Sequence, residues 1–171
     1  MAGMSLGTTP LLKASLGSTG IQKISLGAVD LWSAFSNMGM DKSSSTFTVP
    51  INTSTAIIVT GWDVRSGFPD TQIVSNALNS NGSATVTLKA GAVITGSAPS
   101  GHNPTFQVRR NGTEVLMSAT VVAGGSIATF PTTTTVTLAP SDKIAMYVTN
   151  PSGLYAWTVA TGAANTYLYY Q

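Results

Sequence analysis

The tripeptide Ser-Leu-Gly recurs at Ser5-Leu6-Gly7, Ser15-Leu16-Gly17 and Ser25-Leu26-Gly27, spaced ten residues apart each time. A unit this short cannot bury a core alone, so it must lie against its own copies or against another chain. The repeat therefore reads as an assembly element rather than a catalytic framework. Side chains 12, 14 and 16 are apolar and 13 and 15 polar, and residues 22–26 nearly repeat the alternation. A period of two is strand-like. Gly7, Gly17 and Gly27 stand where a turn needs a residue tolerant of positive φ. The expectation is one short strand and one tight turn per decade, giving a three-stranded meander too small to be stable without a partner. Residues 1–36 are assigned as an attachment segment, with Leu6, Leu11, Leu16, Ile21, Leu26, Leu31 and Trp32 as its docking side chains. Asn37-Met38-Gly39-Met40-Asp41-Lys42-Ser43-Ser44-Ser45 breaks the pattern and is assigned as a linker.

From residue 46 to residue 171 short strand candidates follow one another, each bounded by Gly, Pro, Asn or Ser. They fall at 46–49, 56–65, 71–78, 83–89, 105–110, 114–122, 126–130, 133–138, 143–149, 154–160 and 165–170. This spacing predicts a β-sandwich or barrel, and the absence of βαβ alternation disfavours a parallel α/β enzyme fold. Asn111-Gly112 is the strongest hairpin signal, because the pair supplies two consecutive positive φ angles. Residues 74–78 are compatible with a helical turn as well as a strand. Composition agrees with an all-β chain. Charged residues are 8% of the total, against about 25% for a typical domain, and Ser plus Thr are about a quarter. Eight basic residues against six acidic ones, scattered except for Arg109-Arg110, argue against nucleic-acid binding. With no cysteine, disulfides and thiol chemistry are excluded. No apolar run is long enough to predict membrane insertion, and no N-terminal secretory signal is expected.

Three stretches carry a resemblance to a known superfamily: Val108-Arg109-Arg110-Asn111-Gly112, the run 135–144 with Leu138-Ala139-Pro140-Ser141-Asp142-Lys143-Ile144, and Thr166-Tyr167-Leu168-Tyr169-Tyr170. They resemble the ten-stranded jelly roll of the tumour necrosis factor and complement C1q superfamily, Ser141 standing in place of that superfamily's turn glycine. The resemblance implies a jelly-roll β-sandwich and a homotrimer, with Tyr147, Trp157, Tyr167 and Tyr169 near the three-fold axis. The stretch 11–32 is similar to a short repeat near the start of minor tail and other virion proteins of tailed phages that infect actinobacteria. That similarity implies a segment joining the particle to a distal receptor-binding or decorating domain.

The candidates for chemistry are few. His102, the only histidine, lies in a Gly/Pro/Ser loop without a nucleophile-elbow context, and is expected as a solvated loop residue. One His and no Cys leave too few ligands for zinc, so no metal or other cofactor is expected. Of the six carboxylates only Asp63 and Asp70 lie near each other in sequence, and a salt bridge from Arg65 to one of them is the expected arrangement. Trp62, Asp63 and Phe68, together with Tyr155 and Trp157, are candidates for stacking and hydrogen bonding a sugar, and Arg109 and Arg110 for contacting an anionic surface polymer.

The function expected from these features is that of a non-enzymatic virion protein of a tailed phage, on the exterior of the particle. It would be a minor tail protein or tail-tip appendage, homotrimeric, in contact with other virion structural proteins and with a host cell-surface polysaccharide. The alternatives are a trimeric capsid decoration or head fibre protein and, in a different class, an envelope-glycan depolymerase drawing on Asp63, Asp70 or Glu114.

Overall fold

The structure, a computed structural model, describes residues 5–6, 9–10, 14–16, 19–21, 23–26, 29–43 and 45–171. The repeats form antiparallel hairpins: β1 (Ser5–Leu6) with β2 (Thr9–Pro10), β3 (Ala14–Leu16) with β4 (Thr19–Ile21), and β5 (Lys23–Leu26) with β6 (Val29–Ser33). Each decade therefore holds two strands, not the single strand expected. Leu6 pairs with Thr9, Leu16 with Thr19 and Leu26 with Val29, and in the sequence a Gly-x dipeptide stands between the members of each pair. Gly-x is the dipeptide that the tightest hairpin connection favours, with glycine first. Among the described residues no ladder joins one hairpin to the next. Leu11 lies outside the described residues, and of Leu6, Leu16, Ile21, Leu26, Leu31 and Trp32 only the backbone is described.

The remaining chain is a sandwich of two antiparallel sheets built from β7 (Met38–Lys42), β8 (Thr48–Val49), β9 (Thr53–Ile58), β10 (Trp62–Val64), β11 (Ile73–Val74), β12 (Ala77–Asn79), β13 (Ala84–Val93), β14 (Thr105–Arg110), β15 (Glu114–Thr120), β16 (Ile127–Ala128), β17 (Thr134–Leu138), β18 (Lys143–Asn150), β19 (Trp157–Thr158) and β20 (Tyr167–Tyr170). The first sheet runs β10-β7-β20-β13, with β16 and β17 sharing the far edge of β13. In the second, which runs β11-β12-β18-β14-β15, β9 and β12 share one edge of β18. The short pair β8 and β19 lies apart. The described residues contain no helix.

Alternation explains the layers. In β20, Leu168 and Tyr170 are buried and Tyr167 and Tyr169 half-buried, so the core takes every second side chain. Met38, Met40, Leu88, Phe106, Val108, Ile144, Met146 and Leu168 fill the space between the sheets, and Phe35 packs against them from outside. Residues 34–36 are tied down further: Asn81 Nδ2 donates to Ala34 O, and Asn81 Oδ1 accepts from Ser36 N at 3.0 Å.

Two expectations change here. The stretch 37–45 was expected as a linker, yet its residues Met38–Lys42 form β7, paired with β10 on one side and β20 on the other. Met38 and Met40 supply the strand's buried face, and the glycine between them with the aspartate and lysine after them disguise it. Residues 74–78 form no helical turn: Ser75 and Asn76 take φ of 52° and 63° and close a two-residue hairpin between β11 and β12. Asn111 and Gly112 have the positive φ expected of them, and Ser141 also turns left-handed, at 69°.

Candidate functional site

Tyr167 and Tyr169 stand on the face of the first sheet that points away from the core. The register places Tyr167 between Asp41 and Gly91, and Tyr169 between Gly39 and Lys89. Both glycines are there for room. A Cβ on Gly91 would lie 2.6 Å from Tyr167 Cε1, and one on Gly39 would lie 3.0 Å from Phe68 Cδ2 and from Tyr169 Cβ. The two tyrosine rings have centroids 5.8 Å apart and are tilted 32° to each other, and Phe68 packs on Tyr169 at 5.4 Å. The Arg65 guanidinium sits over both tyrosines, 4.9 and 5.0 Å from their centroids, while its Nη1 pairs with Asp41. Arg65 thus bonds neither Asp63 nor Asp70, the partners expected for it. Asp63 stands opposite Asp41 in the ladder, and the guanidinium bound to Asp41 offsets that like-charge pairing. Lys89 Nζ donates to Thr132 O, and the Thr85 and Thr137 hydroxyls bond each other at 2.9 Å. The face is aromatic, and its Arg65, Lys89, Thr85 and Thr137 side chains are bonded within it. Beside Gly91 and Tyr167 it opens into a depression of about 520 Å³, lined also by Ala90, Ile127 and Phe130.

Tyr147 is elsewhere. It projects from β18 on the outward face of the second sheet, with the Arg109 guanidinium 5.1 Å from its ring centroid. Arg109 is held by Gln107 Oε1 and by Gly112 O, to which Nη1 donates at 3.2 Å. Arg110 is committed to Glu114, with Nε 2.7 Å from Oε2.

Trp157 is buried at the end of the sandwich. Its Nε1 donates to His102 O at 3.2 Å, and its ring stacks on Tyr155 at 5.7 Å. Of the four aromatics expected near a three-fold axis, only Tyr167 and Tyr169 share a face. Trp62 is also buried, with Nε1 donating to Val59 O at 2.7 Å, so its indole offers no stacking surface beside Asp63 and Phe68.

His102 is not the solvated loop residue expected. It is half-buried, with Nδ1 3.0 Å from Ser152 Oγ and its ring edge against Tyr155. Ser152 Oγ already accepts from Leu154 N and Tyr155 N, so its hydrogen points to His102 Nδ1, which assigns the proton of a neutral imidazole to Nε2. The pair holds the 150–155 turn. Among the described residues no His, Asp or Glu cluster reaches three members.

Lys42 is the interior's one charged side chain among the described residues, 1% exposed, with Nζ donating to Ser45 O and to Gly61 O at 3.2 Å. Burial lowers its pKa from the ordinary lysine value, and Asp63 works against that. Burial likewise pushes the Tyr170 hydroxyl well above the usual tyrosine range, with Ser80 working against it. Ser80 Oγ donates to Gly82 O at 2.8 Å, and the Tyr170 hydroxyl has no partner within hydrogen-bond geometry.

Sequence reasoning passed over Asp41, Gly39 and Gly91. The signal was present: glycine inside a strand pattern marks a place where another group comes close.

Comparison with known proteins supports the fold. Eight solved chains match, among them Eiger TNF from S. frugiperda, with a TM-score of 0.55 and 10% identity over 80% of this chain and 90% of that one. The chain is thus an all-β protein with a jelly roll of the TNF type. No protein-family model and no curated protein matches it.

Proposed function

We propose that this chain is a non-enzymatic structural protein on the exterior of a tailed-phage particle, a homotrimer attached through its N-terminal hairpins with its jelly roll projecting outward. The observation that carries the reading is the tandem of ten-residue hairpins ahead of a TNF-type jelly roll. A two-stranded hairpin is marginal alone in water, so three in series call for other virion proteins to complete them. The trimer is supported by the resemblance to a superfamily whose members usually associate in threes, and by the tyrosine face of the first sheet. Its glycine-relieved aromatics lie among an arginine, a lysine and threonines that are already bonded, so the face can be desolvated against a copy at low cost. The tail tip is the favoured position and capsid decoration the alternative. Weak contacts with a host polysaccharide gain from three linked copies through effective concentration.

Deleting residues 1–33, and keeping Phe35 and Ser36, tests the attachment. The expected product folds and remains a trimer, with each protomer smaller than the 17.5 kDa full chain by the 33 residues removed, but is missing from purified particles. Its incorporation at the normal level would overturn the proposal.

A further inference from the structure

We propose that a depression of about 420 Å³ on the outward face of the second sheet binds an acidic saccharide, a sugar ring bearing a carboxylate or a phosphate. This deepens the receptor part of the proposed function and rests on it only for the source of the ligand, a surface polysaccharide. The hollow arises where β18 changes neighbours. β12 pairs with it at Lys143 and Ile144, β9 takes over at Tyr147, and Ala145 and Ala77, each 3% exposed, leave the floor low. Its volume lies within the ~300–1,000 Å³ of small-molecule sites.

The rim is a set of open donors. Ser75 Oγ, Ser141 Oγ, Tyr147 Oη and Lys143 Nζ have no hydrogen-bond or ion-pair partner among the described residues, whereas Arg65, Lys89 and Arg110 are engaged. Charge complementarity selects an anion. Arg109 over Tyr147 has no carboxylate within ion-pair distance. The nearby Asp142 is occupied by Asn111 Nδ2, Ala139 N and, at 3.7 Å, Arg110. Backbone strain gathers here too. Of the five non-glycine residues at positive φ among the described residues, Ser75, Asn111 and Ser141 line this hollow. A serine held left-handed costs about 1–2 kcal/mol that glycine would avoid, and such strain concentrates at functional sites. A pyranose resting on Tyr147, its hydroxyls bonded to the two serines and its anionic group to Lys143, uses every one of these features.

The test is calorimetric titration of the full chain with four probes of matched length: an oligosaccharide of hexuronate, one of sugar phosphate, a neutral oligosaccharide and an oligoglutamate peptide. One or both acidic sugars should bind, more weakly as salt is raised. Lys143→Glu should lower that affinity about tenfold or more, since a close charge contact is replaced by repulsion. Ser141→Gly should weaken it severalfold without loss of fold. Binding of the neutral sugar or the peptide as tight as that of the acidic sugars, no binding of either acidic sugar, or an unchanged affinity in Lys143→Glu would each overturn the proposal. Light scattering on the same samples keeps the two readings apart. A trimer that binds no acidic sugar ends the site alone, and a monomer that binds one ends the trimer alone.

Discussion

The outward faces of the two sheets are built from the same residue types and differ in what those residues have already bonded to. On the first sheet arginine sits over two tyrosines and pairs with Asp41, lysine reaches a carbonyl, and threonines bond across strands. On the second sheet arginine also sits over a tyrosine, but Lys143, Ser75 and Ser141 remain open. A face whose polar groups are satisfied can lose water against a flat partner without leaving groups stranded. One with open donors loses by the same burial and gains only from a polar ligand. The first face suits assembly and the second suits recognition.

The sharpest way to break this division is Gly91→Val. The new side chain displaces the Tyr167 ring and leaves the core untouched, so circular dichroism should stay native while light scattering falls from about three protomers of 17.5 kDa to one. Arg65→Ala comes next. It leaves Asp41 half-buried without its partner and should cost about 1–3 kcal/mol in urea unfolding. Arg109→Ala, on the other face, should cost less and leave the mass unchanged. Ser141→Gly should act in the opposite direction, relieving a positive φ and raising Tm by about 2–4 °C for about 1 kcal/mol.

Alkaline titration sharpens the contrast, because both shifted groups, Lys42 and Tyr170, belong to strands of the first sheet. The folded pKa of Lys42 lies below its unfolded value of 10.5, so within that window the unfolded state binds more protons and stability rises with pH. The folded pKa of Tyr170 lies above its unfolded value of 10.0, so stability falls as pH climbs past 10.0. Urea midpoints should therefore pass through a maximum near that value. Lys42→Met should remove the rise, and Tyr170→Phe the fall. At neutral pH Tyr170→Phe should have the smallest effect of all, within about 1 kcal/mol of wild type, since it deletes a hydroxyl without a partner.

Most of the sandwich was legible because alternation and turn residues act locally. The strand at 105–110 and the Asn111-Gly112 turn needed nothing beyond their own sequence. β7 was hidden because Gly39 and Asp41 serve Tyr169 and Arg65, which arrive from far along the chain. The hairpins were misread because Gly-x marks a tight connection as readily as the end of a single strand. Of the site, the tyrosines were named through the superfamily resemblance and Arg109 by residue type. Their division between two sheets was not, because it depends on strand order, which no short stretch of sequence encodes.

A photocrosslinking amino acid placed at position 169, and separately at position 147, tests the division of the faces most directly. Irradiation of the purified protein should give covalent trimers from position 169 and only monomers from position 147. Trimers from position 147 with none from position 169 would contradict the account.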